Sequence, residues 1–298
     1  MNDVSLSTWA ADRAAIDENL ARIATGLIPE IEPVVADAIR YSLFGGGKRL
    51  RGLLVLAAYR TAGGTLDASP LAAAIEIVHA YSLIHDDLPC MDDDDVRRGR
   101  PTVHRAFGVR AAMAAGVAMV PLAASAGIAA ARALHLPETA GGHVVATLMR
   151  ASGAGGMIGG QLLDLDGEDR PLSLAELERV HRAKTGALIT ASIELGGLAA
   201  AADSKQMAAM IAFGEAIGLA FQIADDVLDV TATTDRLGKT AGRDLDLHKS
   251  TYPALLGVDG ARQRAHALVD DGCAALRSAG LLSTELDALA RFVVERDS

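Results

Sequence analysis

Residues 71–95 read LAAAIEIVHAYSLIHDDLPCMDDDD. Alanine, leucine, isoleucine and valine dominate the first fifteen positions, and six aspartates then crowd into the ten positions 86–95. Alanine and leucine are strong helix formers, so the apolar part predicts a helix. Pro89 restricts Leu88 and breaks that helix, which places Asp86 and Asp87 in its last turn and lets the following loop return Asp92 towards them. Acids at a helix C-terminus oppose the macrodipole, so local stability does not account for them. A hard divalent cation with oxygen ligands offsets both the dipole and the mutual repulsion. Mg²⁺, typically held by one or two carboxylates plus substrate phosphates, suits best. A solvated acidic turn is the alternative for this cluster taken alone; a calcium loop is not, because no EF-hand pattern with its glycine and terminal glutamate follows.

A weak echo of this arrangement recurs as DDVLD at 225–229, again at the end of an apolar helix. Asp225 and Asp229, at i and i+4, share a face, and Asp226 sits about 100° around. Gln222, Phe221 and Gly218 continue the same stripe, so the acids extend an interior-facing surface. Bare carboxylates there are costly unless paired or bound to metal.

The rest of the chain is consistent with helices throughout. Half of its 298 residues are apolar and only 3% are aromatic, which favours an all-α fold. Candidate helices fall near 8–27, 30–43, 47–63, 68–88, 104–116, 118–135, 138–154, 173–201, 204–231, 251–279 and 284–296, with no clean strand pattern and no long linker. We expect a single domain over 1–298, a large bundle of about ten mostly antiparallel helices around a central cavity. A net charge of −10 excludes a nucleic-acid backbone as partner. Cys90 and Cys273 lack CxxC spacing, which suggests reduced thiols in the cytoplasm. The N-terminus has early acids and no apolar run, unlike a signal peptide. Residues 111–131 are uncharged over 21 positions, long enough to span a bilayer. Their alanine and glycine content and central Pro121 instead predict a buried bundle helix and no membrane span.

Basic residues accompany the acids. GGGKRLRG (45–52) places Lys48 and Arg51 after a flexible turn, and VRRGRPTVH (96–104) supplies Arg97 and Arg98 directly after the aspartates. His79 lies seven residues, two turns, before Asp86 on nearly the same face. Lys184 stands with Thr185 in an otherwise apolar helix (RAKTGAL, 182–188), where a buried charge needs a partner. LGKTAGRD and HKSTYP add Lys239 and Lys249. Arginine forks and lysine point charges are what diphosphate oxygens bind.

These motifs, with GGQLLDL, GLAFQIADDVLDV and KSTYPALLG, run in order from about residue 45 to 257 and resemble the short-chain trans-isoprenyl diphosphate synthases of the bacterial farnesyl diphosphate synthase type. DDx4D, then RRG, then DDxxD 139 residues after the first, is a highly specific combination. The resemblance implies a prenyltransferase that condenses isopentenyl diphosphate with an allylic diphosphate, dimethylallyl or geranyl, to give a C15 product. It implies three Mg²⁺ ions, with Mn²⁺ as a substitute, and a homodimer. Asp86, Asp92 and Asp225 would be the principal metal ligands, assisted by Asp87, Asp226 and Asp229. Arg97, Lys184 and Lys239 would hold the allylic diphosphate, and Lys48, Arg51, His79 and Arg98 the isopentenyl diphosphate. Thr185, Phe221 and Gln222 would line the carbocation region, with Gln161 and Asp164 supporting the metal face. Ser82, small and one turn before Asp86, would leave room beyond a C10 chain, and bulky Tyr81 would floor the pocket near C15. C20 and C10 products stay open, as does a non-catalytic subunit. Class I terpene cyclases share the bundle and one DDxxD, but carry an Asn/Ser/Glu triad where this chain has DDVLD. The family usually has an acid after Gly116; Val117 in its place predicts altered packing or a lower rate.

Overall fold

A computed structural model describes residues 3–27, 32–168, 170–231 and 250–295. The chain is all-α, as expected, with thirteen α-helices and one two-residue hairpin among the described residues. It divides into two compact units, 1–149 with 195–201, and 150–194 with 202–298.

The first unit contains α1 (Asp3–Leu27), α2 (Pro33–Leu43), α3 (Leu50–Thr61), α4 (Ser69–Asp86), the short α5 (Val103–Phe107), α6 (Val109–Ala133) and most of α7 (Glu138–Ser152). Helix α4 is buried on nearly every side, by α1, α2, α3 and α6. Its start is set by Pro70 in the first turn, where a missing N–H costs nothing. The Asp67 carboxylate also accepts from the Ser69 amide at 2.9 Å. Helix α3 reaches it closely because Gly52 has no Cβ; one there would stand 3.4 Å from the Ala72 carbonyl oxygen of α4 and 2.7 Å from Ile16 Cδ1 of α1. The Gly52 amide donates to the buried Glu76 carboxylate at 2.9 Å, and Glu76 also faces Arg49, whose guanidinium donates to Asp17 and the Leu43 carbonyl.

Helix α6 departs from the sequence expectation. The predicted break between 116 and 118 is absent; the chain breaks instead at Gly108, with φ 83°, and then runs unbroken through Pro121. Pro121 lies on the exposed side, where the carbonyl it leaves without an amide partner can take water. Gly116 packs inward against the Tyr81 ring, whereas Val117 is 73% exposed, so its replacement of an acid does not disturb packing within the unit. Helices α6 and α11 (Ser204–Thr231) are both long and apolar enough to cross a membrane, yet half of each apolar window is buried inside the protein.

The second unit contains α8 (Met157–Leu165), α9 (Leu174–His181), a π-helical turn at Arg182–Gly186, the start of α10 (Ala187–Ala199), α11, α12 (Tyr252–Ser278) and α13 (Thr284–Glu295). Ser173 and Glu176 form a reciprocal capping box that starts α9. Helix α11 packs on α12, on α13 and on the π turn. Its Gly214 and Gly218 permit the close approach: a Cβ on them would stand 2.8 Å from Thr190 Cα and Gly186 Cα respectively. Gly257, at φ 72°, kinks α12 one turn after its start.

Candidate active site

In the first unit α4 delivers His79, Tyr81, Ser82 and Asp86 from successive turns. The loop after Asp87 folds back as the sequence predicts, with the Asp92 amide donating to the Asp86 carbonyl at 2.9 Å. Among the described residues Asp86 Oδ1 is buried without a hydrogen-bond partner, and His85 Nδ1 lies 3.6 Å from it. An orphaned carboxylate oxygen beside a second acid fits a hard cation such as Mg²⁺. Asp87 points elsewhere: it is buried and takes the Arg97 fork, Nε at 2.7 Å and Nη2 at 2.6 Å. Burial raises the pKa of the Asp87 carboxyl above its usual value, and Arg97 opposes that rise.

Arg97 and Arg98 come from a hairpin that no sequence pattern announces. Val96–Arg97 pairs with Arg100–Pro101, and the two turn residues, Arg98 at φ 53° and Gly99 at φ 71°, are left-handed. Two such residues make the turn that suits the right-handed twist of a two-residue hairpin. Arg98 therefore stands at the tip, where its Nη1 donates to the Gly46 carbonyl. Its guanidinium covers Gly47, where a Cβ would meet Nη1 at 2.7 Å and where φ is +136°. Only glycine fits that place, which explains one residue of the GGGKR loop. Lys48 is exposed beside it and Arg51 is buried in α3. A small cleft opens here, lined among others by Tyr41, Leu83, Asp87, Arg97 and Arg98.

Burial, and then the guanidinium groups of Arg51, Arg98, Arg97 and Arg49, hold the pKa of His79 well below the ordinary histidine value. A stability effect follows from the sign of that shift. An unfolded chain takes up this proton near pH 6.5, while the native protein resists it. Below about pH 6.5 the unfolded state therefore binds more protons, and stability falls as pH falls. The loss of melting temperature between about pH 7.5 and 5.5 is expected to be smaller in His79→Gln than in the parent chain. Equal losses in both would show that His79 contributes nothing to it.

In the second unit Lys184 and Thr185 lie in the π turn, not in a plain helix. Such turns widen the helix by one residue and occur often at functional positions. Lys184 Nζ donates to Asp164 Oδ2 at 2.6 Å, which supplies the partner its burial requires. Asp164 and the fully buried Gln161 belong to α8, a helix absent from the sequence expectation. Gly160 allows α8 to rest directly on the backbone of Ala183 and Lys184. Thr185 Oγ1 donates to Gln222 Oε1 at 2.8 Å, and Gln222 Nε2 donates to Asp226 Oδ1 at 3.1 Å. Asp226 Oδ2 accepts from the Tyr252 amide at 3.0 Å and from His181 Nε2 at 3.2 Å. Asp226 thus ties α9, α11 and α12 together, and His181, which stacks on Tyr252, is a supporting residue the sequence reading missed. Asp225 is partly exposed on the same helix, Asp229 is buried and Phe221 partly so. Lys239 and Lys249 lie outside the described residues.

Each unit thus presents carboxylates at a helix end with cations beside them, the equipment of an all-α protein that handles a metal ion together with a diphosphate. Comparison with known proteins agrees. The sequence model of the polyprenyl synthetase family matches residues 32–274. A farnesyl diphosphate synthase of Escherichia coli is 45% identical over 94% of this chain and 95% of its own. A geranylgeranyl diphosphate synthase of Cyanophora paradoxa is 39% identical over 99% and 97%. The crystal structure of a geranyltransferase from Helicobacter pylori, complexed with magnesium and isoprenyl diphosphate, aligns with a TM-score of 0.83 at 30% identity, covering 99% of this chain and 97% of that one. The chain belongs to the polyprenyl synthetase family and is a prenyltransferase enzyme.

Proposed function

We propose that the protein condenses isopentenyl diphosphate with dimethylallyl or geranyl diphosphate, releasing diphosphate and forming farnesyl diphosphate, C15. The observation that carries this reading is the buried Asp86 oxygen, without a hydrogen-bond partner among the described residues, at the end of α4 where the Asp92 loop folds back on it. A buried carboxylate oxygen left so is costly unless a cation meets it, and Arg97 and Arg98 of the hairpin that follows suit the diphosphate such a cation would carry.

Asp86, Asp92 and Asp225 would be the principal ligands of Mg²⁺, with Asp87, Asp226 and Asp229 assisting; three ions are expected, and Mn²⁺ would substitute. The bound metal supplies Lewis-acid stabilisation of the leaving diphosphate. Arg97, Lys184 and Lys239 hold that diphosphate, and Lys48, Arg51, His79 and Arg98 hold isopentenyl diphosphate. Thr185, Phe221 and Gln222 line the region where the allylic carbocation develops, and Gln161 and Asp164 brace the metal face. The isopentenyl double bond attacks that cation, and the released diphosphate takes the proton. A dry apolar surrounding protects the cation from water. We read the chain as one functional domain over 1–298, active as a homodimer in the cytoplasm.

The test is incubation of the purified protein with Mg²⁺, labelled isopentenyl diphosphate and either allylic substrate, followed by measurement of product length. No Mg²⁺-dependent product from any allylic substrate overturns the reading, and a C20 product transfers it to the activity for which the Cyanophora relative is named. Chain length is attributed to Ser82 and Tyr81. Ser82 is buried and its Oγ donates to the His79 carbonyl at 2.8 Å, while Tyr81 is buried against Gly116. Ser82→Phe fills the space before Asp86, so its main product is expected to shorten to C10, with Ser82→Ala unchanged. A C15 product from Ser82→Phe refutes the attribution.

A further inference from the structure

Asp93, Asp95 and His104 form a second cluster beside the aspartate motif. Their ligand atoms all lie within 4.8 Å of one another. His104 is 5% exposed, and its hydrogen bonds define which nitrogen carries the proton. Thr102 Oγ1 donates its only proton to the Asp94 carbonyl at 2.7 Å, so towards His104 Nδ1, at 3.1 Å, it can only accept. Nδ1 is therefore the N–H, and in the neutral ring Nε2 carries the lone pair. Among the described residues that Nε2 is buried without a hydrogen-bond partner, and it faces Asp93 Oδ1 at 3.8 Å. A lone pair directed at a carboxylate calls for a cation between them.

We propose that Asp93, Asp95 and His104 bind a divalent transition-metal ion, zinc in the first place, at a site separate from the Mg²⁺ ligands. One imidazole nitrogen with two carboxylate oxygens selects a borderline metal over Mg²⁺ or Ca²⁺, which take oxygen ligands. Three protein ligands leave a fourth position for water. Zinc ligands, at about 2.0–2.2 Å from the metal, stand closer together than the present cluster. Asp93 and Asp95 are exposed and can rotate inward, and His104 is fixed by Thr102. Arg105 is the present counter-cation: its Nε donates to Asp95 and its Nη2 lies 4.0 Å from Asp93. Being half-exposed, it can withdraw into solvent when the metal enters. The ion would bridge the two ends of segment 93–104 and fix the base of the hairpin that presents Arg97 and Arg98.

The experiment is calorimetric titration of the metal-stripped full chain with Zn²⁺ in excess Mg²⁺, repeated with Co²⁺ as a spectroscopic probe. One equivalent of Zn²⁺ is expected. Loss of a ligand in Asp93→Asn or Asp95→Asn, both exposed and tolerant of exchange, should weaken it at least ~10-fold, on the scale of disturbed metal sites. Arg105→Gln removes the competitor and should tighten binding, while Asp86→Ala should leave the Zn²⁺ equivalent in place. Failure to bind Zn²⁺ under excess Mg²⁺, equal affinity in the parent and both Asn variants, or loss confined to Asp86→Ala overturns the proposal.

Discussion

Replacing Asp225 with alanine is expected to lower turnover at least ~10²-fold, the scale of losing one transition-state stabiliser, while the fold survives. The contrast with its neighbour gives the reason. Asp226 is buried and accepts from Gln222, His181 and the Tyr252 amide, so its loss strands three donors and unsettles the joint of α9, α11 and α12. Asp225 is partly exposed, on the face it shares with Asp229, and is assigned to metal rather than to that joint. Steady-state kinetics at saturating Mg²⁺ and substrates, alongside a thermal melt, separates the two kinds of loss. A near-normal turnover in a folded Asp225→Ala protein refutes its role as a principal ligand.

The second large effect is expected from a residue without a side chain. In Gly160→Ala the new Cβ would land on the backbone of Lys184, at its amide nitrogen and Cα, with Ala183 next. Backbone cannot rotate away as a long side chain can, so α8 must back off from the π turn. Overpacking of this kind costs about 1–3 kcal/mol and occasionally more. Displacing Lys184 and Asp164 by about 1 Å can cost ~10²-fold in rate. Both a lower melting temperature and lower turnover are therefore expected. Gly142→Ala serves as the control, because a Cβ in that α7 position meets nothing within 4 Å. A Gly160→Ala protein as stable and active as the Gly142→Ala protein would show that the contact does not matter.

Much of this was legible in the sequence because it depends on local rules. The apolar run of α4, its end near Pro89 and the return of Asp92 follow from propensity and proline sterics. What escaped depends on tertiary contact. Helix α8 lies in GAGGMIGGQLLDL (153–165), a glycine-rich stretch to which the sequence expectation gives no helix. One of them, Gly160, serves close approach, which only the Lys184 backbone reveals. The expected break between 116 and 118 is absent and Gly108 takes its place; the helix also runs on through Pro121, because a proline on a wet helix face is tolerated. The hairpin was too short for a period of two to register, and His181 carries no spacing that marks it. The aspartates were legible as a group, but not that Asp87 would be taken by Arg97.

The π turn at Arg182–Gly186 has a consequence for how this chain can vary. A turn of that kind takes up one residue more than an α turn, so deleting a single residue there would restore a regular helix while the residues after it keep their facing. Leu188 and Ile189 would stay in the core they fill, and only the wide turn that places Lys184 and Thr185 would be lost. Length can therefore vary by one residue at this point of the chain without refolding α10, and what such a change alters is the position of two side chains.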